Sequence, residues 1–198
     1  MNIKKFACYY HHNVKPNRTD IEKIILFMAI CGSFLEICGG VWDSLSHILH
    51  EPEYFWTIQH LVIYFGIIMT STTAVISMII LLKNKTNIKF GLLMIVIGST
   101  LQLLAGYADS ISHEVFGLDG LISLPHQILE SGLVIATFGS LIISIKISPH
   151  TKHMIIIFPM FLFFSSICWL FFNFSLLIFS TVACVPIYQV FNSGCIIF

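Results

Sequence analysis

From about residue 24 onward, the chain consists of long, continuous apolar runs separated by short polar stretches. A membrane-spanning helix needs about twenty apolar residues in a row. Runs of that kind cover about 24–49, 56–82, 90–112 and 124–147. From 154 to 198 the chain is apolar almost throughout. As one helix that segment would measure about 68 Å at 1.5 Å per residue, more than twice the hydrocarbon thickness. It is therefore expected to fold back near Asn173 to Ser175. The expected fold is an all-α integral membrane protein of about six transmembrane helices. A soluble domain is excluded by composition: 10% of residues are charged, against about 25% in soluble domains. A transmembrane barrel would alternate apolar and polar residues, and these runs do not.

The polar punctuation divides the chain into an arm (1–23), a first hairpin (24–82), a second hairpin (88–147) and a C-terminal apolar hairpin (153–198). Lys and Arg cluster in the arm, at Lys83, Lys85 and Lys89, and at Lys146 and Lys152. The segments 51–54 and 114–121 carry acidic residues and neither Lys nor Arg. Basic loops stay on the cytoplasmic side. The expectation is a multi-pass protein of the cell membrane with a cytoplasmic N-terminus and these two acidic loops outside. The arm has no early apolar core or cleavage site, so the first membrane helix is expected to target the chain. A formal net charge of zero gives a nucleic-acid partner no electrostatic support. The six cysteines form no C-x-x-C pair and read as small buried apolar residues. His11 and His12 read as solvated.

An internal duplication carries the functional information. Gly40, Asp43, Ser44, Ser46, His47, His60 and Gly66 recur as Gly106, Asp109, Ser110, Ser112, His113, His126 and Gly132, every one at an offset of 66. Glu36 falls opposite Gln102, and Tyr64 opposite Glu130. Shared Leu or Ile could arise from low complexity, but D-S-x-S-H followed by a His does not. Each copy is one helical hairpin. A hairpin returns the chain to its starting side, so both copies share an orientation. The expected arrangement is a four-helix bundle with a pseudo-two-fold axis along the membrane normal. Both motifs then lie at one depth, at the outer end, face to face.

Within each copy, Asp and the first His are four residues apart and share a helix face. The chain then reverses, helped by Pro52 in one copy and by Gly117 and Gly120 in the other. The second His begins the next helix, where Pro125 suits the first turn. One carboxylate and two imidazoles thus form a three-ligand metal set, Asp43, His47 and His60 in one copy and Asp109, His113 and His126 in the other. The competing reading is a polar network or proton relay. Ionisable groups within a membrane cost about 2.5–3.5 kcal/mol each on insertion scales, and their recurrence as one pattern favours metal. Glu36, Gln102, Tyr64 and Glu130 are expected to support the ligands from behind. His50 has no counterpart and reads as interfacial. The aromatics of the last segment read as lipid-facing or packing residues. Histidine and carboxylate suit copper, iron, manganese or zinc. A bis-His haem would leave the two Asp residues without a role.

D-x-x-x-H followed, after twelve residues, by His is similar to the copper motif in the C subunit of the membrane-bound copper monooxygenases, which oxidise methane or ammonia. The resemblance covers about 36–132, half the chain. It implies copper on Asp43, His47 and His60, a second site on Asp109, His113 and His126, and partner subunits or a homo-oligomer. That family typically carries Asn at the position of Asp109. The chain therefore reads as a copper-binding C-type subunit or paralogue of a monooxygenase-like oxidase. A metal-dependent membrane enzyme outside such a complex is an alternative, and so is a copper-binding, transport or assembly protein. The scattered Met residues form no ladder, and ligands grouped at one depth favour a site over a channel.

Overall fold

The computed structural model describes residues 18–49, 56–83, 86–116, 123–147 and 153–183, with the side chains of 18–19, 47–48, 112–116, 153–154 and 179–183 outside that description. Five helices follow in order: α1 (Arg18–Ile48), α2 (Ile58–Lys83), α3 (Lys89–Phe116), α4 (Leu124–Ile147) and α5 (His153–Ala183). All five are long and apolar enough to cross a membrane. No strand occurs among the described residues. The first four helices match the expected runs closely, although α1 begins at Arg18, inside the stretch read as an arm.

The C-terminal segment differs from expectation. Helix α5 runs unbroken through Asn173 to Ser175, where a turn was expected, and ends at Ala183. Its polar side chains are satisfied within the helix: Ser175 Oγ donates to the Phe171 carbonyl at 2.7 Å and Asn173 Nδ2 to that of Trp169 at 3.0 Å. Such back-bonding lets Ser and Asn sit mid-helix without breaking it. At 1.5 Å per residue, its 31 residues span about 46 Å. The remainder of the expected C-terminal hairpin, 184–198, lies outside the described residues.

Helix α1 packs on α2 and α3 on α4, α2 and α3 adjoin, α1 touches α4, and α5 lies mainly along α4 with a lesser contact to α1. Glycine decides how closely the two hairpins close. A Cβ on Gly66 would sit 2.6 Å from the Gly32 carbonyl oxygen, and one on Gly98 2.5 Å from that of Gly132. The obstructing atoms are backbone, so the helices touch only because these side chains are absent, as in small-residue membrane crossings.

The interior is layered along the bundle. At the end where α1 and α3 begin, Ile25, Leu26, Ala29, Ala74, Ile88, Leu92, Ile95 and Ile143 form an apolar cluster. Above it lies a band of buried hydroxyls and amides, including Ser33, Thr70, Ser99, Gln102, Thr137 and Ser166. Large apolar side chains such as Phe27, Phe65, Leu82, Leu104 and Phe171 cover the outside. This inversion of a soluble protein is what contact with a lipid bilayer requires. The thiols of Cys31, Cys38 and Cys168 are free, but half-exposed or exposed rather than buried as expected. Cys8, Cys184, Cys195, His11, His12 and His50 lie outside the described residues.

Candidate functional site

The buried carboxylates gather at the end of the bundle opposite the apolar cluster. On α1, Glu36, Gly40 and Asp43 recur at spacings of four and three, so one face carries all three. On α3 the same face carries Gln102, Gly106 and Asp109. From α2 come His60, Ile63 and Tyr64, and from α4 His126, Leu129, Glu130 and Leu133. One pocket, of about 40 Å3, is lined by all of these except Gln102 and Gly106. A water needs roughly 10–15 Å3 on that measure, so the pocket suits an ion or a few waters rather than a large organic molecule. No Lys or Arg lines it.

Each hairpin contributes one carboxylate–imidazole pair. His60 Nε2 stands 3.5 Å from Asp43 Oδ1, and His126 Nδ1 stands 3.3 Å from Asp109 Oδ1. Both carboxylates are about 95% buried. Both imidazoles are placed by a hydroxyl that caps their helix: Thr57 Oγ1 accepts from the His60 amide at 3.5 Å, and Ser123 Oγ from the His126 amide at 3.4 Å. This is the N-cap geometry, in which a side-chain oxygen satisfies an otherwise orphaned amide of the first turn. Ser123 Oγ also lies 2.6 Å from His126 Nδ1. Thr57 and Ser123 are themselves 66 apart, similar in chemistry though not identical, which is why identity alone does not reveal them.

Glu36 and Gln102, expected to support the ligands, bond directly to each other: Gln102 Nε2 donates to Glu36 Oε2. Thr70 Oγ1 lies 2.6 Å from Glu36 Oε1 and 2.7 Å from the Gly66 carbonyl. Tyr64 reaches across to the second hairpin, its hydroxyl donating to the Gly106 carbonyl at 3.5 Å. Glu130 is 4% exposed and lines the pocket. Its polar neighbours are the Trp169 indole and the Asn173 amide of α5, and Oε2 has no hydrogen-bond partner.

The pocket thus joins Asp43, His60, Asp109 and His126 from the two triads, with Glu36, Tyr64 and Glu130 beside them. Backbone geometry places His47 and His113 one helical turn beyond their Asp, but their side chains are not described. Among the described residues no three His, Cys, Asp or Glu side chains are grouped to hold one metal ion. The donor chemistry nevertheless fits a first-row metal: carboxylate and imidazole from four helices converge on one pocket, and a buried carboxylate oxygen there lacks a partner. Trp169 is the residue that the repeat does not reveal. It lines the pocket and lies over Gly40, where a Cβ would stand 3.5–3.6 Å from the indole. Trp169 packs, as the last segment's aromatics were expected to, but it does so against the pocket. Its signal is Asn173 one turn later, a polar residue inside an otherwise apolar helix.

No protein-family model, curated protein or solved structure matches this chain.

Proposed function

We propose that the chain is a metal-binding membrane protein whose ion is held where the two hairpins meet. One observation carries the reading: an Asp–His pair from each hairpin lines a single buried pocket. The ligands are Asp43 and His60 with Asp109 and His126, completed by His47 and His113 from the ends of α1 and α3. Matching contacts at an offset of 66 (Gly32 with Gly66 and Gly98 with Gly132, Asp43 with His60 and Asp109 with His126) support two hairpins related by a pseudo-two-fold axis. The distribution of Lys and Arg supports a cytoplasmic N-terminus and a pocket near the outer face of the cell membrane.

Copper is the ion that the resemblance implies; iron and zinc suit the same donors. Copper bound there would supply redox chemistry toward dioxygen. The chain's own groups fix the imidazoles through helix caps and exclude bulk water with Leu129, Leu133, Ile63 and Trp169. On this reading the chain is a C-type subunit or paralogue of a monooxygenase-like oxidase, working with partner subunits or as a homo-oligomer. Two carboxylates offset one divalent ion fully and two only in part, and repulsion between neighbouring ions weakens the second. One ion is therefore held tightly and a second more weakly.

Elemental analysis of the purified full chain tests the reading. The native protein should carry copper, and the paired variants His47→Ala/His113→Ala and His60→Ala/His126→Ala should lose it. Metal content unchanged in both would sink the proposal.

A further inference from the structure

Glu130 breaks the symmetry between the hairpins. In the first copy its position holds Tyr64, whose ring covers the bare backbone of Gly106. The equivalent aromatic over Gly40 is missing from the second copy. Helix α5 supplies it instead: Trp169 covers Gly40. With that place filled from outside the repeat, residue 130 is released from packing and carries a carboxylate into the pocket. Glu36 is bonded by Gln102 and Thr70, and Asp43 and Asp109 each face an imidazole. Glu130 has the Trp169 indole and the Asn173 amide beside it, but its buried Oε2 has no hydrogen-bond partner. Leaving such an oxygen unsatisfied in the interior is costly, and a cation in the pocket would satisfy it. Glu130 also lies one turn after His126 on α4, so the two share a helix face.

We propose that Glu130 provides a second cation subsite in the pocket, on the side of the second hairpin, with Trp169 and Asn173 of α5 holding the carboxylate in place. The pocket's small volume selects a monatomic divalent ion over an organic ammonium. The proposal rests on the metal-binding reading and adds the group that the second, weaker ion uses. It also gives α5 a role beyond anchoring, because without Trp169 and Asn173 the carboxylate loses its positioning contacts.

Copper(II) titration of the detergent-solubilised full chain, followed by elemental analysis and electron paramagnetic resonance, tests it. The wild type should take up two ions per chain, the second bringing magnetic coupling to the first. Glu130→Gln should retain the first ion with unchanged affinity and bind the second at least tenfold more weakly, with the coupling lost. Retention of the first ion shows that the variant is folded. Glu130→Asp, which keeps the charge, should restore the second ion in part. Two ions with equal affinity in Glu130→Gln, or one ion in both proteins, overturns the subsite and leaves the metal centre standing. A wild type that binds no copper at all overturns the metal centre with it.

Discussion

The two hairpins share one scaffold and differ where they meet. Each closes on a glycine pair, caps its second helix with a hydroxyl and sets an Asp against a His. Across the interface, however, the first presents Glu36 and Tyr64 where the second presents Gln102 and Glu130. Glu36 and Gln102, 66 residues apart, meet there. Two glutamates there would repel, whereas Glu36 accepts a hydrogen bond from Gln102. The difference teaches that positions inside each hairpin can carry the same residue types, while those at the meeting line must differ to be complementary.

The shared scaffold is the easiest part to break. Replacing Gly98 by Val forces a branched side chain into the Gly132 carbonyl and the Ala136 amide, 2.5 and 2.7 Å from the first added carbon. Neither atom can move without its helix. Overpacking of that kind costs about 1–3 kcal/mol or more, and the thermal unfolding midpoint in detergent should fall sharply. Gly32→Val should behave alike, since a Cβ there meets the Gly66 carbonyl at 2.8 Å and the Thr70 amide at 3.2 Å, the matching atoms of the first hairpin. Gly40→Ala should be nearly neutral, because its added carbon meets Trp169 at ordinary van der Waals distance. Equal sensitivity at Gly40 and Gly98 would contradict the packing described.

The proposed metal ligands come next. Asp43→Asn should lower the affinity of the tightly held ion more than tenfold, given that even outer partners of a ligand cost about 10–100-fold when lost. Asp109→Asn should weaken the second ion and spare the first, since the family that the motif resembles typically carries Asn there. Copper titration of the two variants distinguishes them. If Asp109→Asn removed both ions, the two halves would have to be one inseparable site.

Much of this arrangement is legible in the residues alone, and what is not has physical causes. Helices α1 to α4 follow from apolar runs of membrane length, and the Asp–His pairs follow from the repeat. The unbroken course of α5 does not, because Asn173 and Ser175 look like a polar break until their bonds to carbonyls one turn back are seen. Trp169 escapes for another reason: a search at offset 66 finds only what both copies share, and this residue substitutes for one that a copy lacks. The Glu36–Gln102 bond escapes because a repeat shows which positions correspond, not that corresponding positions touch.

That bond gives a sharper test of complementarity at the meeting line. Gln102→Glu should place two carboxylates together and leave Glu36 without its donor, costing about 1–3 kcal/mol. The exchange Glu36→Gln with Gln102→Glu moves the carboxylate to the other hairpin and should recover most of the loss. Recovery depends on Thr70, which lies beside Glu36 and whose counterpart is Ala136, so the exchanged protein should remain somewhat less stable than the original. Unfolding midpoints of the single and double variants decide this. A double variant no better than Gln102→Glu alone would mean that the two side chains do not act as a pair.

The smallest expected difference lies at the helix caps, where the hairpins are most alike. Thr57→Ala removes the acceptor for the His60 amide, and Ser123→Ala removes the acceptor for the His126 amide. Loss of such a cap costs about 1 kcal/mol, so the two variants should unfold at similar temperatures. They should part in metal binding. Ser123 Oγ also contacts the His126 ring at 2.6 Å, at the same Nδ1 that faces Asp109, whereas His60 faces Asp43 through Nε2, the ring nitrogen farther from its backbone and cap. The Asp109–His126 pair should therefore loosen in Ser123→Ala, lowering the affinity of the second ion several-fold while the first is unchanged. Thr57→Ala should lower stability with little effect on either ion. Matched losses of metal affinity in the two variants would mean that both caps act only through helix stability, and that the hydroxyl contact to His126 does not orient the ring.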